Sequence, residues 1–218
     1  MNKKCFFTFA DLLHLLGLLG LTSVIGINSA AANSKVLDNL NQKDLFIYHG
    51  NLKLTNSKLN IAEIQGASHI YNNDFNGSVT INGNCDLKEN KFTKILQLTG
   101  ESKSENNIFE DKLNINGNFK DKDSHFLSTV KIIGKANFDS SELSNNLEID
   151  SNEIKLTDSS ANNILFNNKE DPRVISLHLN KNTKINGDII FSNDRGKVYA
   201  DESVVISGKI TGGEIINK

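Results

Sequence analysis

Proline occurs once in this 218-residue chain, tryptophan is missing and methionine is a single residue. Only two cysteines are present, Cys5 and Cys85, too few for a disulfide framework or a paired-cysteine metal site. Nor is there an excess of one charge. Lys and Arg total 24 against 26 for Asp and Glu, a net −2, which excludes the basic footprint of a nucleic-acid binder. What remains is 38% hydrophobic and 23% charged, enough for one soluble domain with a core and unlike a disordered chain. Fifteen glycines and heavy use of Asn favour strands joined by tight corners.

The N-terminus reads as an address. Lys3 and Lys4 precede an apolar run from Leu12 to Ile27, followed by Ser29, Ala30, Ala31 and Ala32. This is the order of a secretory signal peptide over residues 1–32, with Ala30 and Ala32 as the cleavage pair. The competing reading is an uncleaved membrane anchor, since the run approaches the length of a spanning helix. Cys5 lies before the apolar run, so the spacing of a lipoprotein acylation site is lacking. Residues 33–42 read as a polar leader, and 43–218 as the folded domain.

The centre of the chain repeats with a period of 17 residues. Small or apolar pairs recur at Ala62/Ile64, Val79/Ile81, Leu96/Leu98, Leu113/Ile115 and Val130/Ile132. Each pair is followed by a glycine: Gly66, Gly83, Gly100, Gly117 and Gly134. Each unit closes on an aromatic or Leu: Phe75, Phe92, Phe109, Phe126, then Leu143. An imperfect copy at 43–59 precedes them. Towards the C-terminus a spacing near 21 fits better, placing Ile164, Ile185 and Ile206 as equivalents, with Gly187/Gly208 and Ile189/Ile210.

Asn82-Gly83 between alternating residues is also a hairpin signal, but parity opposes it. A two-residue turn there would send Cys85 and Leu87 to the face opposite Ile81. One strand bent at glycine keeps Val79, Ile81, Cys85 and Leu87 on one side, with the glycine at a corner that a side chain would not fit. The prediction is an all-β, single parallel β-solenoid of 17-residue coils, longer at the C-terminus, with Phe filling a second corner from inside. About eight or nine coils are expected, right-handed by the usual hand of parallel crossovers. One coil could not offset its own ordering entropy; stacking encloses the apolar column. Asn73, Asn90, Asn107, Ser124 and Ser141 form either a hydrogen-bonding ladder or a solvated turn.

Reactive constellations are sparse. His14, His49, His69, His125 and His178 form no metal-spaced pair, and His49 and His125 read as surface turn residues. Cys85 falls at an inward place and reads as core packing. Asp74, Glu89, Asp121, Asp123, Asp139 and Glu142 fall at outward or corner places among lysines, as on a solvated face. Lys169–Pro172 and Asn193–Gly196 are loop insertions, where binding is most easily carried. No catalytic, cofactor or metal site is expected.

The runs at Lys184–Ile189 (KINGDI) and Val205–Ile215 (VISGKITGGEI) resemble the glycine-isoleucine motifs of bactofilins. That resemblance implies a polymer-forming β-solenoid; it departs from the family in carrying an export signal, since bactofilins are cytoplasmic. The whole chain is also similar to small uncharacterised exported proteins of Gram-negative bacteria. The expected function is that of an exported non-enzymatic scaffold or adhesion rod, periplasmic, cell-surface or secreted, joined end to end through the edge at Ile215 and Ile216. Alternatives are a glycan-binding or glycan-cleaving solenoid, for which Arg173 and Arg195 are the available arginines, and a membrane-anchored form. Partners are a second copy or a surface ligand such as a glycan, not nucleic acid, and no membrane span is expected after cleavage.

Overall fold

The computed structural model describes Ile25–Ile27 and residues 34–217. Every element among them is a strand, and all pair in parallel into one continuous sheet that winds as a β-solenoid of about 11 turns. The turn count exceeds the eight or nine expected because strands reach upstream of residue 43. Ser34–Asp38, within the polar leader, pairs with Asn51–Thr55, and the backbone of Ile25–Ile27, within the apolar run, pairs with Phe46–Tyr48.

Each coil has three faces. In one coil they are Val79–Asn82 (face A), Cys85–Lys88 (face B) and Lys91–Phe92 (face C). In the next, one strand, Leu96–Glu105, runs through faces A and B across Gly100. The corner between A and B is set by glycine: Gly83 has φ +139°, and a Cβ there would lie 2.2 Å from the carbonyl oxygen of Gly66 in the coil before. No side chain fits between carbonyl and corner, which is why glycine sits over glycine from Gly50 to Gly134. The corner between B and C uses the left-handed region at Asn56, Asn72, Glu89, Asn106, Asp123, Ser140 and Asp158, residue types that mostly tolerate it through short polar side chains.

The core is a column of alternate residues. Val79, Ile81, Cys85 and Leu87 are all buried, as the bent-strand reading requires. Phe75, Phe92, Phe109 and Phe126 stack along the C-to-A corner with ring centroids 4.7–5.3 Å apart and planes within 7°, close to the roughly 4.8 Å separation of neighbouring strands. Phe126 ends the stack by meeting Phe119 and Phe138 edge-on.

One predicted equivalence fails. Ile164 pairs with Ile189, which pairs in turn with Ile210, whereas Ile185 and Ile206 continue the column of Leu143 and Ala161. The loop between Ile164–Phe166 and Ile175–Asn180 lengthens this coil, so contacts here span 23 to 25 residues before the spacing shortens to 21.

Candidate interaction surfaces

Inside the B-to-C corner, Ser57, Asn73, Asn90, Asn107, Ser124, Ser141, Ser159 and Thr183 are buried and form a ladder. The backbone N–H of Asn73 donates to Asn90 Oδ1 at 3.1 Å and that of Asn90 to Asn107 Oδ1 at 2.8 Å. The amide groups bond each other as well, Asn73 Nδ2 to Asn90 Oδ1 at 2.9 Å and Asn90 Nδ2 to Asn107 Oδ1 at 3.0 Å. The ladder satisfies corner backbone groups that would otherwise be buried unpaired. Ser57, Ser159 and Thr183 extend it beyond the five positions legible from the 17-residue period.

Cys85 Sγ donates to Ser102 Oγ at 3.2 Å, and burial pushes the thiol up to about 11. It is a packing residue held as the thiol, the unreactive form. The four described histidines are dispersed on the outside, and His14 lies outside the described residues. His49 is exposed beside Gly50; His69 Nδ1 lies 3.3 Å from Tyr71 Oη, which donates to Asp86 at 2.9 Å; His125 lies 3.2 Å from Glu142. His178 stacks on Tyr199 on face B, centroids 4.9 Å apart. Among the described residues no group of three His, Cys, Asp or Glu could hold a metal.

The outer faces carry carboxylates paired with cations one coil away. Lys58 meets Asp74 at 3.6 Å, Lys88 meets Glu105 at 3.0 Å and Lys135 meets Glu153 at 3.7 Å. Glu89 and Asp123 are exposed corners, and Asp139 and Glu142 also lie on the outside. Asp121 does not follow. It is 4% exposed and points into the core, because strict alternation along Leu113–Lys122 puts it on the side of Phe119, between Ser104 and Phe138 of the neighbouring coils. The repeat places Leu87 and Phe138 in the same column, so its burial was available from parity; its charge obscured that.

The two loop insertions lie against each other. Asn193 Nδ2 donates to the carbonyls of Asp171 and Arg173 at 3.0 and 3.1 Å, and Arg195 Nη1 to the Pro172 carbonyl at 2.7 Å. Arg173 grips Asp171 at 2.7 Å and holds its carboxyl down at about 2. Both arginines therefore brace the loops. Beside them an open groove of about 490 Å³ is bordered by Val174, Arg195, Lys197 and Glu214 over Gly212 and Gly213.

At the last described coil the inward columns lose their cover. Ile206 and Ile210 are half-buried and Ile215 is 50% exposed, whereas its column partners Ile154, Leu177 and Val198 are sealed. Ile216 belongs to the outer side, paired with Tyr199. At the opposite end Lys35 occupies that same inward column and Val36 is 67% exposed. Ala30 and Ala32 lie outside the described residues. Among the described residues no helix is long and apolar enough to cross a membrane. In comparisons with known proteins, no family model, no curated protein and no solved structure matches the chain.

Proposed function

We propose that the chain is an exported, non-enzymatic rod, a structural scaffold or adhesion element that extends by joining end to end. The observation that carries this reading is that Ile215 is exposed and Ile206 and Ile210 only half-buried, in columns that the coils just before them seal. Apolar surface beside unpaired strand edges is the combination that invites another strand. The occupant proposed is the first coil of a second copy: Gly213–Asn217 and Ser34–Asp38 are five-residue strands on the same face, so the one can pair in parallel with the other. The bactofilin resemblance supports the same direction.

Export and assembly are coupled in this reading. Cleavage after Ala32 removes the strand at Ile25–Ile27 and leaves the edge of Phe46–Tyr48 unpaired. Negative-stain imaging of the chain beginning at Asn33 tests it: filaments or strings of rods are expected, and Ile215→Lys, which puts a charge into the open column, should return single rods. Single rods from both proteins would sink the proposal.

A second reading, a glycan ligand, is favoured by the half-buried aromatic pair His178–Tyr199 on the outer side of face B, a residue type that sugars pack against. Glycan-array binding lost in Tyr199→Ala would support it; an array without signal would remove it.

A further inference from the structure

The ladder hydroxyls follow one rule. Ser57 Oγ donates to the Thr55 carbonyl at 2.7 Å, Ser159 Oγ to the Thr157 carbonyl at 2.8 Å and Thr183 Oγ1 to the Asn180 carbonyl at 2.7 Å. Each then accepts a backbone N–H from the coil before, from Leu40, Ser141 and Ser159 respectively. Ser141 keeps the first half of the rule, with its Oγ 2.9 Å from the Asp139 carbonyl, but its other neighbour is Asp121 Oδ2 at 2.6 Å. A hydroxyl has one proton, and a carbonyl and an ionised carboxylate are both pure acceptors. Both contacts can be hydrogen bonds only if a second proton is present.

We infer that Asp121 is the neutral acid in the folded protein, its carboxyl O–H donating to Ser141 Oγ while Ser141 donates to the Asp139 carbonyl, so that the central coils carry an acid-stabilised link. The surroundings agree. Asp121 Oδ1 is buried without a partner, a poor place for half of a carboxylate's charge. The other buried polar residues are Ser, Asn and Thr, so among the described residues no cation faces it from inside. On the outside, the groove over it is lined by Lys103 and Glu105 from the coil before, Lys120 and Lys122 from its own strand, Asn137 and Asp139 from the coil after, and Asp86. These lie at outward places of their strands, in water and of mixed sign. Burial pushes the carboxyl up, opposed by the hydroxyls of Ser104, Ser141 and Ser124 and by the Ser124 backbone N–H.

A group whose folded value is raised contributes stability that is complete below its unfolded value and is lost as pH rises through the folded one. The link therefore holds best in acid and weakens towards neutrality. Asp121→Asn keeps the shape and supplies an N–H donor for Ser141 at any pH. In urea unfolding across pH, the Asn variant should unfold at a higher midpoint than the parent at neutral pH, the gap closing in acid. The carboxyl carbon resonance of Asp121 in the parent chain should titrate above the ordinary carboxylate range. Titration at or below that range overturns the inference even if the Asn variant fails to fold, and so does a gap that does not change with pH.

Discussion

Between Gly66 and Gly134 every coil has the same length, so glycine lies over glycine, Phe over Phe and Asn over Asn. Beyond Leu143 the coils vary, loops replace the glycine corner, and the Phe column gives way to Leu143, Ala161, Ile185 and Ile206. Short of the last described coil the interior is sealed equally well in both regions: Ile154, Ile164, Phe166, Leu177, Ile185 and Ile189 are all fully buried. Burial thus depends only on alternation along each strand, which variable coils preserve. Like-on-like stacking at the A-to-B corner depends on constant length. The B-to-C ladder survives in both regions because the insertions enter at the opposite corner, leaving Ser159 and Thr183 in register.

This contrast can be broken first at glycine. Gly117→Ala puts a Cβ 2.1 Å from the Gly100 carbonyl at φ +142° and should cost on the order of 4 kcal/mol in urea unfolding. Second comes the aromatic column: Phe109→Ala, between two stacked rings, should cost about 3–5 kcal/mol. Phe166→Ala, stacked on Phe191 alone, should cost less within that class; an equal loss would mean that ring stacking adds nothing to burial. Third, Asn90→Ala leaves the N–H of Asn73 and the carbonyl of Ile70 without their partner and should cost about 1–3 kcal/mol by the same measurement. Last, Pro172→Ala in the variable region should change stability by no more than about 0.5 kcal/mol, since the carbonyl that receives Arg195 remains. A large loss there would make the loops part of the fold's support.

The architecture was legible because a solenoid writes its register into the sequence: Val79, Leu96, Leu113 and Val130 are paired neighbours at the spacing of the repeat. The glycine corners and the Phe column followed from the same period. Ile164 was misplaced because a fixed spacing cannot locate an insertion; only the pairing with Ile189 shows on which side of the column the extra residues fall. Asp121 was misplaced because residue type was allowed to outweigh parity. The strands at Ile25–Ile27 and Ser34–Asp38 were missed because the repeat is weak there, with Lys35 where a core residue is expected. The edge at Ile215 and Ile216 was legible as apolar, but which of the two faces inward shows only in the pairing, Ile215 with Val198 and Ile216 with Tyr199.

Sedimentation velocity over a concentration series, on the chain beginning at Asn33, tests end-to-end joining most directly. A series of faster species that grows with concentration and collapses to one elongated species in Ile215→Lys is the predicted result. One elongated species with the same frictional ratio at every concentration, unchanged by Ile215→Lys, would contradict it.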